Sequence, residues 1–210
     1  MAKRLTVEIA SDVICPWCYI GKRRLEKALA AVGGELEVEV RWLPFQLNPD
    51  MPAEGVARAD YRRAKFGSVE RGRELDARVS AEGAKEGIAF AFDRMQRTPN
   101  TSRAHQLIDV AQKAGRAQPV VDALFRAYFE DAKDIGDEAV LAAIAAEAGV
   151  PGWPQAADAP RVQEMEDDVR GLGIQGVPMF ILDRRLGVSG AQAPQTLVEA
   201  MREAAATAAA

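Results

Sequence analysis

The residues of this sequence whose type and spacing most directly suggest chemistry are Cys15 and Cys18, the only two cysteines. Two thiols three residues apart on a helix lie on the same side, one turn apart, and can close a disulfide. Pro16, between them, suits the first position of a helix. Because the free N–H groups and positive dipole end of a helix stabilise an anion, a thiolate is favoured at Cys15. The pattern therefore predicts a dithiol redox site, with Cys15 as the nucleophile and Cys18 as the resolving thiol.

The segments on either side of the cysteines are predicted to hold them at a strand-to-helix turn. Apolar and polar residues alternate over 5–9, which is typical of a half-buried strand. Apolar residues then recur at helical spacing over 19–32, and Gly33 and Gly34 end that run. A second alternating stretch over 38–42 predicts a strand parallel to the first. Together these segments form a strand–helix–strand unit with the two cysteines at the start of its helix.

The composition is that of an ordinary globular protein, with 48% hydrophobic and 28% charged residues in a chain of 210. A net charge of −4 gives no basic footprint, so nucleic acid is not an expected partner. No apolar run approaches the length of a membrane span. The first residues alternate as a strand does and lack the apolar core of a secretion signal, so we expect a cytoplasmic protein. In that reducing compartment, two cysteines are more often catalytic or metal-binding than structural.

Between residues 56 and 172 the pattern is almost wholly helical. The predicted helices cover 57–66, 68–86, 102–114, 119–132, 137–148 and 161–172. Strand patterns return near 177–181 and 186–188, and a last helix begins near Ala193-Pro194. The sequence thus predicts an α/β fold, in which one mixed sheet of order βαβ … αββα carries a large all-helical insertion. The predicted sheet domain comprises 1–55 and 173–210 and the insertion 56–172, whose last helix at 161–172 fits either part.

Longer motifs along nearly the whole chain resemble the DsbA family of the thioredoxin-like fold, and in particular its cytosolic, FrnE-like branch. The motifs are SDVICPWCYIGKRRLEKAL at 11–29, RWLPFQLNPDMPAEG at 41–55, NTSRAH at 100–105, ALFRAYFEDAKDI at 123–135 and GIQGVPMFILDRRLGVSGAQ at 173–192. A Cys-x-x-Cys pair alone is weak evidence, but CPWC between a strand and a helix, followed far downstream by a Val-Pro-x-Phe strand, is specific. The resemblance implies a thioredoxin-like fold and a thiol–disulfide oxidoreductase.

The resemblance also implies how a substrate is held. Pro178 is expected to follow a cis peptide bond and to lie opposite Cys15, with the backbone of Val177 turned toward the cysteines. The N–H and C=O groups of Val177 would then pair with an extended stretch of substrate. The alternative interpretation of Pro178 is a proline on an edge strand. Pro16 and Trp17, between the cysteines, are expected to tune the thiolate. Trp17 is expected either to offer an apolar surface to a substrate or simply to pack over the disulfide. The expected substrate-binding residues are therefore Pro16, Trp17, Val177 and Pro178.

Three further polar features stand out in the sequence. Asp12 could relay the proton of Cys18, but a solvated carboxylate at the end of a strand is the favoured interpretation. His105, the only histidine, could lie over the cysteines as a cation, although a structural histidine is the commoner case. The basic run at 22–24 points in different directions on a helix and is predicted to be mainly a solvated face. No metal is expected, because a zinc site normally needs four ligands, which these residues supply only if two copies combine.

Two enzymatic functions fit these observations. The first is a thiol–disulfide oxidoreductase that reduces, oxidises or isomerises disulfides of protein or small-molecule substrates, without a bound cofactor and with glutathione as a candidate redox partner. The alternative is a glutathione-dependent isomerase or transferase of the kappa-class and hydroxychromene carboxylate isomerase type, which resembles the same fold. Those enzymes typically carry a serine at the position of Cys15 and an acidic residue where this chain reads Ala191-Gln192. These departures favour the first function. A zinc-clasped dimer without catalysis is a third interpretation, and a homodimer is left open.

Overall fold

A computed structural model describes residues 3–207 of the chain, which form eight helices and six strands. In chain order these are β1 (Lys3–Ser11), α1 (Pro16–Val32), β2 (Leu36–Pro44), β3 (Val56–Ala57), α2 (Arg58–Phe66), α3 (Val69–Lys85), β4 (Arg97–Thr98), α4 (Ser102–Lys113), α5 (Ala117–Phe129), α6 (Glu138–Glu147), α7 (Ala159–Gly171), β5 (Met179–Leu182), β6 (Leu186–Ser189) and α8 (Pro194–Thr207). Every predicted helix of the insertion occurs, with its ends within three residues of the expected ones. The predicted α/β fold is confirmed.

The main sheet has four strands in the order β2-β1-β5-β6. β1 runs parallel to β2 and antiparallel to β5, so that Ile9 pairs with Trp42 on one side and with Phe180 on the other. Leu5, Val7 and Ile9 are buried in the main hydrophobic core, which is why apolar residues alternate along β1. The mixed sheet that the sequence predicts is therefore present, with β1 at its centre.

Helices pack on the sheet in two groups. α1 packs against α8, which also contacts β1, β5 and β6. α7 instead contacts β2 and the insertion helix α4. Because α7 touches both the sheet and the insertion, it lies where the two predicted parts meet. The division of the chain at 1–55, 56–172 and 173–210 stays a prediction.

The insertion contains a small antiparallel sheet, β3 with β4, that the sequence pattern does not predict. Val56 pairs with Thr98 in it. Strands of two residues are too short to show a period-two pattern. Gly55, directly before β3, has a φ of +68°, and a Cβ there would lie 2.6 Å from the carbonyl oxygen of Thr98. Only glycine combines this backbone conformation with so close an approach.

A cluster of aromatic rings holds the insertion against α1. Tyr19, which follows Cys18, stacks on Phe125 of α5 with the ring centroids 4.9 Å apart. The edge of Phe90 meets Tyr19 at 6.2 Å, and Phe129 lies against both rings. Stacked and edge-to-face pairs at these distances stabilise a core beyond the area that they bury. The helix after the cysteines therefore shares one hydrophobic core with the insertion.

The basic run at 22–24 is not a solvated face, which corrects the sequence prediction. Lys22 is only 1% exposed and forms an ion pair with Asp122 of α5. Arg24 is paired with Glu82 of α3, with Nη2 and Oε2 2.9 Å apart. A buried ammonium group is tolerated only when it is paired. The partners come from distant parts of the chain, so the helix by itself does not reveal them.

Candidate active site

The turn between β1 and α1 places both cysteines at the start of the helix. Cys15 is the N-cap residue of α1, with φ −90° and ψ 112°, and Pro16 occupies the first helical position. The N–H of Cys15 donates to the C=O of Asp12 at 3.0 Å, and the C=O of Cys15 accepts from the N–H groups of Cys18 and Tyr19. Proline starts a helix readily because its φ is already helical and it has no N–H to satisfy. The predicted strand-to-helix placement is confirmed.

The two cysteines lie close together in the core. Cys15 and Cys18 are 3.5 Å apart, and both are free thiols. Both are buried, and Cys18 is only 2% exposed. Burial raises the pKa of the Cys18 thiol well above its ordinary value of 9.0, and the neighbouring Cys15 raises it further. The backbone of Asp12 and the hydroxyl of Ser11 lower that pKa by less, so Cys18 is held as a protonated thiol at neutral pH.

The side of the dithiol that faces solvent is formed by the two residues between the cysteines. Trp17 is 39% exposed, which is a large share for such an apolar side chain, and Pro16 is half-buried. Exposed apolar surface of this kind is often used for contact with another molecule. The place of both residues beside Cys15 follows from the helix start, and their role toward a substrate stays a prediction.

The loop before β5 closes the site from the opposite side. The Val177–Pro178 peptide bond is cis, as the resemblance implied. The Sγ atom of Cys15 lies 3.7 Å from the carbonyl oxygen of Val177, to which it donates a long hydrogen bond. The loop is tied to the end of β6 by the N–H of Gly190, which donates to the C=O of Pro178 at 2.8 Å. The expected place of this loop beside Cys15 is confirmed, while substrate binding by Val177 and Pro178 stays a prediction.

Gly21 is a functional candidate that sequence reasoning missed. A Cβ at this position of α1 would lie 3.0 Å from Cγ of Pro178 and 3.3 Å from Cζ of Phe180. The absence of a side chain thus lets the loop before β5 pack directly on the helix that carries the cysteines. A glycine inside a strongly helical run is the signal that could have revealed it, since glycine weakens a helix unless close packing requires it.

Asp12 is fully buried, which corrects its interpretation as a solvated carboxylate. Its Oδ2 atom accepts a hydrogen bond from the N–H of Leu47 at 2.7 Å. Its Oδ1 atom lies 3.4 Å from Nε2 of His105, which is also buried. The loop after β2 covers Asp12 from one side and α4 from the other. The structure therefore brings Asp12 and His105 together, although the sequence treats them as unrelated.

The described part of the chain, residues 3–207, contains no group of three or more His, Cys, Asp and Glu side chains placed to hold a metal ion. Within the same residues, no helix has the length and apolar character that crossing a membrane requires.

Comparison with known proteins places this geometry in a family. The DSBA-like thioredoxin domain matches residues 6–202. The crystal structure of a probable DsbA oxidoreductase from Streptomyces coelicolor is 35% identical in sequence and superposes with a TM-score of 0.86, over 95% of this chain and 89% of that one. The cytosolic disulfide reductase DsbM from Pseudomonas aeruginosa, solved with GSH, is 20% identical with a TM-score of 0.64, over 97% and 96% of the two chains.

A 2-hydroxychromene-2-carboxylate isomerase is 16% identical with a TM-score of 0.66, over 97% of this chain and 98% of that one. At such low identities, this isomerase and DsbM share the fold with this protein and nothing more is implied. The match to residues 6–202 and the likeness to the Streptomyces protein go further, because the first is a family model that covers nearly the whole chain and the second is 35% identical in sequence. On this evidence the chain belongs to the DSBA-like thioredoxin domain family.

Proposed function

We propose that this protein is a thiol–disulfide oxidoreductase whose redox-active group is the dithiol of Cys15 and Cys18. The observation that carries the proposal is the position of Cys15 at the N-cap of α1, 3.5 Å from Cys18, in a chain of the DSBA-like family. A sulfur at the start of a helix is stabilised as a thiolate by the free N–H groups and the helix dipole. A second thiol within reach lets the chain complete an exchange without a bound cofactor.

In the reductive direction, the Cys15 thiolate attacks one sulfur of a substrate disulfide, whose S–S bond breaks and releases the first substrate thiolate. Cys18 then loses its proton and attacks the Cys15 sulfur of the mixed disulfide. The new Cys15–Cys18 bond forms as the second substrate thiolate leaves, so two electrons pass from the dithiol to the substrate. The reverse steps oxidise a substrate dithiol. The direction depends on the partner that restores the starting state.

The proposed substrate-binding residues are Pro16, Trp17, Val177 and Pro178. The C=O of Val177 faces the Cys15 sulfur, and its N–H donates no hydrogen bond to any group within residues 3–207. An extended peptide can pair with both backbone groups as a short added strand, which brings its disulfide to Cys15. Trp17 offers apolar surface to a partly unfolded protein beside this strand. Pro178 has no N–H and so keeps a competing donor away from the thiolate.

Glutathione is the proposed redox partner, and the cytoplasm is the proposed setting. In support, DsbM shares the fold, is described as a cytosolic disulfide reductase and was solved with GSH. A reducing compartment favours reduction or isomerisation of disulfides over their bulk formation. Substrates in this proposal are protein disulfides and small-molecule disulfides that can reach Cys15.

A redox titration tests the proposed function. The protein is equilibrated in a series of glutathione buffers of different redox potential, and its free thiols are trapped by alkylation. The masses of the products are then measured by mass spectrometry. We expect a reversible loss of two hydrogens with one midpoint between about −270 and −120 mV. The matched Cys18→Ser variant should instead give a single glutathione adduct on Cys15. If the unaltered chain gives only an adduct, or stays fully reduced, the dithiol mechanism is wrong.

The glutathione-dependent isomerase has less support. Its likeness to this chain concerns the fold alone, at 16% identity. Enzymes of that class typically carry a serine at the position of Cys15 and have no second cysteine at the position of Cys18. In this chain the two cysteines are present and lie 3.5 Å apart. An outcome in which only a glutathione adduct forms in the titration would bring this alternative forward.

A further inference from the structure

The segment from residue 58 to residue 78, which forms α2 and much of α3, is basic within an acidic chain. It carries seven arginine and lysine side chains against four aspartates and glutamates, whereas the whole chain has a net charge of −4. Charge of one sign beside a concave surface raises the local concentration of ions of the opposite sign. This part of the helical insertion therefore favours contact with anions.

A cavity of about 700 Å³ lies between α2, α3 and the segment at 90–96. Sites for small organic molecules have volumes of about 300–1,000 Å³ and join apolar walls to a few polar groups. Phe90, Phe92 and Met95 supply an apolar wall here, and Arg58 and Arg62 supply charged groups. Neither cysteine lines this cavity, so it is separate from the dithiol. Its size and lining are those of a binding site for a small molecule.

Arg58 and Arg62 share a single carboxylate in this cavity. Nη2 of Arg58 lies 3.2 Å from Oδ2 of Asp76, and Nη2 of Arg62 lies 3.0 Å from Oδ1 of the same residue. The two arginine side chains are only 11% and 13% exposed. Arg73 and Asp93, which also line the cavity, are exposed and have opposite charges. The cavity therefore holds one positive charge more than its carboxylates balance.

The surplus charge is partly removed from water. Burial lowers the pKa of Arg62, and the neighbouring Arg58 lowers it too, although Asp76 raises it. A cation that is shielded from water and has no counterion of its own is unfavourable. An anion that enters the cavity relieves this cost, so the two arginines favour the binding of one negative charge.

The guanidinium groups keep N–H groups for such an anion. Arg58 donates to both carboxylate oxygens of Asp76 through Nη2. Arg62 donates through Nη2 to the C=O of Gly72. Within residues 3–207, Nε and Nη1 of both arginines make no hydrogen bond. Because a guanidinium binds a carboxylate through parallel N–H groups, these donors suit an organic carboxylate.

Two glycines inside α3 make room for the walls of the cavity. A Cβ at Gly72 would lie 2.7 Å from Nε of Arg62, and a Cβ at Gly83 would overlap the Phe90 ring. Eleven residues are close to three full turns, so both glycines lie on one face of α3, together with Asp76. Glycine weakens a helix relative to alanine. The helix thus has weaker propensity at the two positions where Arg62 and Phe90 pack closely.

We propose that this cavity binds a small organic carboxylate with an aromatic or branched aliphatic body. Its carboxylate lies against Arg58 and Arg62, where it supplies the missing negative charge. Its apolar body covers Phe90 and Phe92, which an inorganic anion would leave in contact with water. The inference goes beyond the proposed dithiol function and gives the helical insertion a binding site of its own.

Isothermal titration calorimetry of the whole reduced chain with naphthalene-2-carboxylate tests the site. We expect saturable one-to-one binding with a Kd below about 1 mM at low ionic strength. Naphthalene-2-carboxamide has the same rings without the charge, and inorganic phosphate has charge without the rings. Each should bind at least about tenfold more weakly than the carboxylate. Failure of the carboxylate to saturate, or equal affinity for the carboxylate and either comparison ligand, would overturn the inference.

Three variants locate the bound carboxylate. Arg62→Gln should weaken its binding by about tenfold. Asp76→Asn should strengthen it by about threefold, because the carboxylate that competes for the two cations is removed. A purely structural role of this cluster would instead weaken binding in both variants. Arg63→Gln is the matched control and should leave the Kd unchanged, because Arg63 pairs with Asp60 and does not line the cavity.

Gly72→Ala takes the place of Arg62→Gln if that variant does not fold. It keeps every charge and favours the helix, but its added methyl group displaces the Arg62 guanidinium. We expect about threefold weaker binding of the carboxylate. The inference is wrong if neither variant weakens binding, or if folded Asp76→Asn binds the carboxylate less tightly than the unaltered chain does.

Discussion

The Sγ atom of Cys15 lies 3.7 Å from the carbonyl oxygen of Val177, 162 residues further along the chain. The sheet explains this contact. β1 and β5 are antiparallel with Ala10 opposite Met179. The chain therefore leaves β1 and enters β5 at the same end of the sheet. The start of α1 and the loop before β5 meet there. The Cys15 thiol at the start of α1 thus faces the backbone of the loop before β5.

The two cysteines should differ sharply in reactivity. Cys15→Ser is expected to leave the folded chain nearly inert toward iodoacetamide at pH 7, whereas Cys18→Ser should be labelled at Cys15. Burial, the largest cause of the raised pKa of Cys18, remains in Cys15→Ser, so Cys18 stays a protonated thiol at pH 7. Its labelling rate should therefore rise about tenfold per unit between pH 7 and pH 9.

Mass spectrometry of timed, quenched samples measures these labelling rates. Denatured samples are the control, because both variants should then react alike. Rapid labelling of folded Cys15→Ser at neutral pH would mean that Cys18 is neither buried nor held protonated.

Gly21→Ala should disturb the packing of the loop before β5 on α1. The added methyl group would lie 3.0 Å from Cγ of Pro178, and Gly21 and Pro178 are both buried. Overpacking of this kind costs about 1–3 kcal/mol of unfolding free energy, measured by urea denaturation. We also expect slower release of the first thiolate from Ellman's reagent, because the site around Cys15 shifts. Gly34→Ala is the matched control, since a Cβ there meets nothing within 4 Å. Equal stability of the two variants would contradict this prediction.

Lys22→Met should destabilise the contact between α1 and the insertion. It removes the ammonium group that pairs with Glu26 and Asp122, whose side chains are 36% and 34% exposed. Breaking a fully buried pair costs about 3–5 kcal/mol, and the partial exposure of both carboxylates reduces this to about 2–3 kcal/mol. Lys27→Met, on the same helix, removes an ion pair with Glu86 and should cost less than about 1 kcal/mol. The cost is small because Lys27 is exposed and Glu86 retains its ion pair with Arg24. Urea denaturation compares the two, and a cost for Lys22→Met no larger than that for Lys27→Met would argue against the buried pair.

Trp17→Ala should weaken the reaction with a protein substrate and spare the reaction with a small one. The exposed part of the indole offers apolar contact to an unfolded chain, and its loss should slow reduction of a scrambled, disulfide-bonded protein by about tenfold. The rate with oxidised glutathione should stay unchanged. Leu172→Ala removes another exposed apolar side chain, at the end of α7, and should alter neither rate. Equal losses toward both substrates would place Trp17 in the structure of the dithiol turn instead.

The secondary structure could be predicted because its signals are local. The helices of the insertion end within three residues of their expected bounds, since helical periodicity and glycine stops depend only on neighbours along the chain. The strands β3 and β4 escaped prediction because two residues carry no period. The cis bond before Pro178 came from the resemblance to a family and not from periodicity.

The sequence by itself determined the reactive pair, since the types and spacing of Cys15 and Cys18 at a helix start follow from residues close together in the chain. Only the tertiary structure decided the surroundings of that pair. Asp12 was expected in solvent but is covered by Leu47, 35 residues away, and Lys22 was expected on the surface but pairs with Asp122. Burial and ion pairing depend on which distant segments pack against a side chain. Such contacts leave no local pattern in the sequence, and the fold alone creates them.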